Sequence, residues 1–247
     1  NLEYEAAVCG GVPIIRSIKE GLIANKINKI HGIFNGTSNY VLSSMDKENI
    51  SLKDSIQKAI KLGYAESNPK SDLNGDDVAA KVKILSCLSF NSFINSSIHI
   101  EGIKEIESED LTNADKLGYK IKLLGFSEIF NNKIYQRVHP TLVANTSYIS
   151  KVNGVLNAVI IDGKPIGKNV IQGEGAGPSA TTSALVSDIS SVLRGNIKYP
   201  FAISSSKRKK FKGGKINSLF FSSYIRINVV DKYGVLSDIT KVFSNNK

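Results

Sequence analysis

The sequence predicts an α+β fold, a mixed sheet covered by helices, with a small strand–helix unit at its C-terminal end. Three observations lead there. Helical periodicity with capping and stop signals dominates Val12 to Phe90, the period shortens toward two from Ile98 to about Ile171, and a glycine run then opens one more helix. Of the 247 residues, 41% are hydrophobic, enough for a sizeable core. No apolar run approaches the roughly 18 residues of a membrane span, and Asn1-Leu2-Glu3-Tyr4-Glu5 has neither region of a secretory signal. Cys9 and Cys87 stand in contexts that support no disulfide framework or structural zinc, so the expected setting is cytoplasmic.

Element by element, Val12 to Leu22 reads as a helix with Pro13 near its first turn and apolar residues at 14, 15, 18 and 22. Lys29 to Phe34 is strand-like and enters Asn35-Gly36-Thr37-Ser38-Asn39, whose hydroxyls suit the cap of a following helix. Ser51-Leu52-Lys53-Asp54 opens the next helix and Gly63 stops it. Asp76 to Phe90 forms another, with Val78, Val82, Leu85 and Ser89 on the buried face and Ala79, Lys83 and Ser86 turned away. Strands are expected at Ile98–Ile100, Tyr119–Leu123, Ile134–Val138 and Ala158–Ile161, with turns at Asn131-Asn132 and Asp162-Gly163-Lys164-Pro165. A helix follows Pro178 and ends near Gly195, a Ser- and Lys-rich linker runs on to Lys215, and Tyr224–Val230 reads as a fresh strand before a helix from Val235.

Lys and Arg number 32 against 22 Asp and Glu, a net charge of +10. Such an excess can mean nucleic acid, but the lysines are scattered, and the one dense run, Lys207-Arg208-Lys209-Lys210, reads as a solvated linker. The informative segment is Ala59 to Lys81. Glu66, Asp72, Asp76 and Asp77 surround one loop able to hold a ligand ammonium, and Lys81 follows Asp77 by one helical turn. Two readings are open: an ordinary surface ion pair, or a lysine in an apolar stretch whose lowered pKa would allow proton exchange near neutrality. Gly173-Glu174-Gly175-Ala176-Gly177 is not the dinucleotide fingerprint; it is either a tight turn or a close approach of backbone to a cofactor. Glu5 to Val12 could wrap a small cation or be a plain strand-to-helix turn. His31, His99 and His139 have no metal spacing.

Ala59 to Lys81 resembles the signature of the homoserine dehydrogenase family: Ala, three residues, Gly-Tyr, a Pro, then Asp-Leu-x-Gly-x-Asp and three residues on a Lys. Glu5–Val8, Gly11–Ile15, Gly32–Tyr40 and Gly173–Gly177 are similar to further blocks of that family, in the same order. The resemblance implies reversible hydride transfer between NADP(H) or NAD(H) and the aldehyde carbon of L-aspartate 4-semialdehyde, giving L-homoserine, a step toward threonine, methionine and isoleucine. It implies that Lys81 is the catalytic proton donor and acceptor. It places Glu66, Asp77, Asp72 and Tyr64 at the substrate, and Gly63, Gly175 and Thr37 at the cofactor. Glu5, with the carbonyls of Val8, Gly10 and Val12, would hold a sodium ion.

It further implies a catalytic and dimerisation domain over 1–200, a basic linker over 201–220 and a truncated ACT-like unit over 221–247, where Asp231 to Leu236 match the usual ACT turn and an allosteric amino acid would bind. Residues 1–12 and 173–195 are expected to pack on a nucleotide-binding Rossmann domain that would precede Asn1, so the chain alone is expected to be inert. Cys9 and Asn68 depart from the family's small residue and Asp. A homodimer or higher homo-oligomer is expected, with no nucleic acid and no membrane. The rivals are an amino-acid-binding regulatory module and a basic nucleic-acid-binding protein, the latter marked by steep salt dependence.

Overall fold

A computed structural model describes residues 2–94, 97–196 and 199–246. The chain enters through a 3-10 turn over Glu5–Ala7, then a short helix α1 (Ile14–Arg16) that continues as a wider turn over Ser17–Gly21. The expected helix is therefore present but split, because the Leu22 amide bonds the Ser17 carbonyl at 2.8 Å, five residues back. Strand β1 (Lys26–Ile33) follows. Helix α2 (Gly36–Glu48) is capped by Asn35, whose side chain accepts from the Ser38 amide, and α3 (Leu52–Lys61) by Ser51, which accepts from the Asp54 amide. A single turn α4 (Lys70–Asn74) ends at Gly75, left-handed at φ 87°, and α5 spans Asp76–Phe90.

Beyond β2 (His99–Ile100) lies α6 (Ser108–Lys116), held by a capping box between Glu107 and Asp110. The long hairpin β3 (Tyr119–Phe130) and β4 (Lys133–Ala144) turns at Asn131-Asn132, both with positive φ, as the twist of a two-residue hairpin demands. A second hairpin, β5 (Leu156–Lys164) and β6 (Gly167–Glu174), leads to α7 (Pro178–Leu193). The tail holds β7 (Lys212–Gly213) and α8 (Val235–Asn245).

The strands form one mixed sheet in the order β2-β4-β3-β1-β5-β6, with β7 beside β2 on the outer edge of β4. β1 is central and antiparallel to both β3 and β5; β2 and β7 run parallel to β4. On one face α5 packs Val78, Val82 and Leu85 against Ile121, Leu123 and Phe34, each buried side chain contributing about 1.5–3 kcal/mol. The other face carries Ile33, Leu124, Phe126 and Ile160, covered by Ile149 and Val152. Gly125 decides how close α5 lies. A Cβ there would stand 2.5 Å from Val82 Cγ2 and 2.7 Å from the Phe34 ring, so only glycine lets the helix approach the sheet this closely.

Several expectations are corrected. α6 lies where no helix is expected from the sequence, and β6 is not among the strands named there although it begins inside the period-two region; α6 is polar on most of its surface, and β6 is an edge strand that alternates only between exposed and half-buried positions. In α5, Ala79 and Ser86 are buried rather than turned away, because the helix lies between sheet and loops; Lys83 does face solvent. Tyr224–Val230 is not a strand, and no regular structure is assigned from Leu219 to Tyr233. A strand needs a neighbour for its backbone groups, and the sheet presents none there. The basic stretch is no free linker: Lys209 donates to the Asn91 carbonyl, Arg208 stacks 3.9 Å from the Phe93 ring centre, and β7 pairs with β4. Lys247, last in the expected ACT-like unit, lies outside the described residues, as does Asn1. No helix among the described residues is long and apolar enough to cross a membrane.

Candidate active site

The site grows from the junction of β1 with α2. After Phe34 the chain leaves the sheet, and Asn35 turns its side chain back to cap α2. Its remaining group, the amide Nδ2, donates to Asp72 Oδ1 at 2.7 Å and to Asp77 Oδ2 at 2.8 Å. One buried Asn thus joins α4, α5 and the start of α2. Lys81, a turn further along α5, places Nζ 2.7 Å from Asp77 Oδ2 and 2.9 Å from the Phe34 carbonyl. Its side chain is 18% exposed, against 30% for Asp77, so this pair is better shielded than an ordinary surface ion pair.

In front of this cluster opens a cavity of about 390 Å³ whose wall includes Thr37, Gly63, Tyr64, Glu66, Asp72 and Asp77. Glu66 is exposed on its rim. Thr37 fixes the rim by donating to the Tyr64 carbonyl at 2.8 Å, and the Tyr64 ring leans on Tyr40. Burial raises the Asp72 carboxyl pKa, the Asn35 hydrogen bond opposes this, and the nearby Asp77 charge raises it further. Asp76 does not join: it points outward, near Asn74. Three carboxylates, not four, therefore face the cleft. An acidic cleft bordered by an ammonium group can neutralise a cationic ligand and exchange a proton with it.

The glycine run and the N-terminal turn form a second feature. Cys9 and Gly10 are successive left-handed residues, at φ 61° and 46°. The Gly11 amide bonds the Glu174 carbonyl, and a Cβ on Gly10 would lie 2.5 Å from the Gly175 carbonyl oxygen. Gly175 itself is filled from behind by the Asn157 side chain. Gly175 is not in the wall of the acidic cavity, whereas Gly63 is, with open space where a Cβ would stand.

Glu5 is 4% exposed, and its two oxygens accept from the Ile15 and Arg16 amides at 2.8 Å each. Burial raises its pKa and those amide bonds oppose the rise. Each oxygen keeps a lone pair, and the buried turn holding Val8, Gly10 and Val12 is contiguous with it, so the donor set fits a small hard cation in chemistry. Among the described residues no group of three His, Cys, Asp or Glu could hold a metal ion. The Glu5 amide also bonds Asp188 of α7, which pairs with Arg16. The two segments expected to pack on another domain thus pack on each other, while α7 leaves Leu185, Val186, Ile189 and Leu193 exposed. Sequence reasoning missed Asn35 and Asn157. Only an Asn directly before a helix start signalled the first, and nothing signalled the second.

Fold and site together define an α+β domain with a lysine–carboxylate network at the edge of an acidic cleft. Comparison with known proteins gives the family: a profile described as homoserine dehydrogenase matches residues 13–190. A homoserine dehydrogenase of Helicobacter pylori is 40% identical over 244 residues, covering 98% of this chain and 58% of the relative. The crystal structure of one from Thiobacillus denitrificans aligns with a TM-score of 0.79 at 36% identity, covering 98% of this chain and 57% of that one. A hyperthermophilic archaeal homoserine dehydrogenase mutant in complex with NADPH aligns with a TM-score of 0.66 at 27% identity, over 78% of this chain and 55% of that one. The chain belongs to the homoserine dehydrogenase family. It spans somewhat more than half the length of these relatives.

Proposed function

We propose that this chain supplies the substrate-binding and proton-transfer half of a homoserine dehydrogenase, interconverting L-homoserine and L-aspartate 4-semialdehyde. The observation that carries the reading is the Lys81–Asp77–Asn35–Asp72 network at the mouth of the Glu66 cleft. Glu66 and Asp77 neutralise the substrate's α-ammonium. Lys81 then faces the oxygen at the reacting carbon: as the neutral amine it takes the hydroxyl proton when homoserine is oxidised, and as the resulting ammonium it returns that proton when the aldehyde is reduced, stabilising the charge that develops on oxygen. Asp77 and the Phe34 carbonyl hold the ammonium in that orientation.

A bound nicotinamide cofactor, NADP(H) or NAD(H), supplies the hydride acceptor or donor. The open backbone at Gly63, the Thr37 rim and the Gly175 loop are the residues of this chain that would border it, and these fit close approach of a flat ring. Glu5 with the Val8, Gly10 and Val12 carbonyls would hold a monovalent cation that rigidifies the turn beneath that loop. The exposed face of α7 suits docking of the family's nucleotide-binding domain, the sheet a homodimer, and the tail an ACT-like unit that senses an amino acid.

The test joins the chain to a family Rossmann domain and follows L-homoserine-dependent reduction of NADP and NAD. Lys81→Ala is expected to lower kcat by a factor on the order of 10²–10⁴ with folding preserved. Turnover near that of the unaltered fusion would remove Lys81 from the mechanism.

A further inference from the structure

One buried polar side chain beside the site has no role in the mechanism above. Asn157, the second residue of β5, is 1% exposed, and among the described residues neither its Nδ2 nor its Oδ1 finds a nitrogen or oxygen hydrogen-bond partner. The Cys9 thiol adjoins the carboxamide but is a weak hydrogen-bonding group. A buried carboxamide left unmatched is costly in a native structure and calls for a reason.

Its surroundings supply one. Across the second hairpin Asn157 pairs with Gly173. Its side chain fills the space a Cβ on Gly175 would take, so the glycine is required by Asn157 from within the chain. On the other side, β1 and β5 pair Gly32 with Val159 and Ile33 with Ala158. Continued by one residue beyond the end of β1, that antiparallel register would set Phe34 opposite Asn157, and the Phe34 carbonyl is the group that holds Lys81 Nζ. Asn157 therefore stands between the glycine loop and the backbone anchor of the catalytic lysine, with only the weak Cys9 thiol beside its polar atoms.

We propose that Asn157 is a positioning residue for the reaction: it sets the Gly173–Gly177 loop relative to Lys81, so that a ligand bound against that loop depends on its carboxamide. The inference rests on the dehydrogenase reading. Binding free energy is coupled through Asn157 to loop placement.

The test uses the same fusion with Asn157→Leu, which keeps the shape and removes both polar atoms, and Asn157→Ala as a second variant should leucine not pack. Three quantities are read: the ligand-free unfolding temperature, its rise with NADP+ and L-homoserine, and the Kd for NADP+ alongside KM and kcat. Asn157→Leu is expected to unfold at or above the unaltered temperature without ligand, since an unmatched polar group has been removed. NADP+ is expected to bind at least tenfold more weakly, with a smaller ligand-induced rise. A purely structural Asn would show the reverse pattern, a fall in ligand-free stability with unchanged Kd, and that result overturns the proposal. So does a Kd within twofold in both variants. An unaltered fusion that neither binds nor turns over L-homoserine would overturn the dehydrogenase reading and this inference with it; an active one with indifferent variants would overturn the inference alone.

Discussion

Replacing Asn35 should separate the two tasks of this side chain. Its Oδ1 caps α2 through the Ser38 amide at 2.8 Å, while its Nδ2 bridges Asp72 and Asp77 at 2.7 and 2.8 Å. Asn35→Ser keeps a capping oxygen and removes the bridge; Asn35→Ala removes both. Hydrogen bonds to charged groups are worth about 1.5–3 kcal/mol each. The partial exposure of Asp77 argues for the low end, so the serine variant should lose roughly 2–4 kcal/mol, including the repulsion of two carboxylates left facing each other. The cap adds about 1 kcal/mol for the alanine variant. At roughly 2–4 °C per kcal/mol for a chain of this size, unfolding temperatures should fall by about 4–16 °C for serine and a few degrees more for alanine. Thermal unfolding followed by far-UV circular dichroism measures both. Repeating it at pH 4 adds a second check: without the bridge, Asp72 should hold its proton to higher pH, because the hydrogen bond opposing the burial effect is gone. A serine variant as stable as the parent, with alanine lower by the cap alone, would refute the claim that Asn35 binds α4, α5 and α2 together.

Two other expectations follow from packing and charge. Gly125→Ala should push α5 off the sheet through Val82 and Phe34, lowering the unfolding temperature and, in the fusion, kcat, because Lys81 moves with its helix; unchanged kcat would show that the close approach does not set the lysine. His31, stacked on Phe126, is half-buried near Lys29, Lys168 and Arg137, and burial first, then those charges, push its pKa down to about 3. The unfolded chain binds this proton near pH 6.5 and the folded chain does not. Stability contributed by neutral His31 is therefore full above about pH 6.5 and is lost as pH falls toward 3, a loss on the order of several kcal/mol. His31→Leu should flatten that limb of the stability–pH curve, and an unaltered slope would place the titration elsewhere.

The order of helices and strands and the carboxylate–lysine segment were legible because both are local. Capping residues, i,i+4 spacing and two-residue turns act within a few positions, so Ser51, Asp77 with Lys81, and Asn131-Asn132 carry their own conformations. The site roles implied by the family resemblance rest on something different, a spacing whose meaning lies in relatives of this chain. Polar α6 and edge strand β6 were not legible, since neither shows a periodic apolar face and both are fixed by the elements beside them. Tyr224–Val230 shows the converse: strand-like residues remain unpaired where no neighbouring strand is offered. Tertiary structure alone decided that Asn35 would reach two carboxylates 37 and 42 residues away, that Asp76 would turn from the cleft its neighbours line, and that Asn157 would lie under Gly175. Each depends on distances across the sheet. A sequence fixes local conformation through sterics and short-range hydrogen bonds, whereas the partners of a buried polar group are chosen by how whole elements pack.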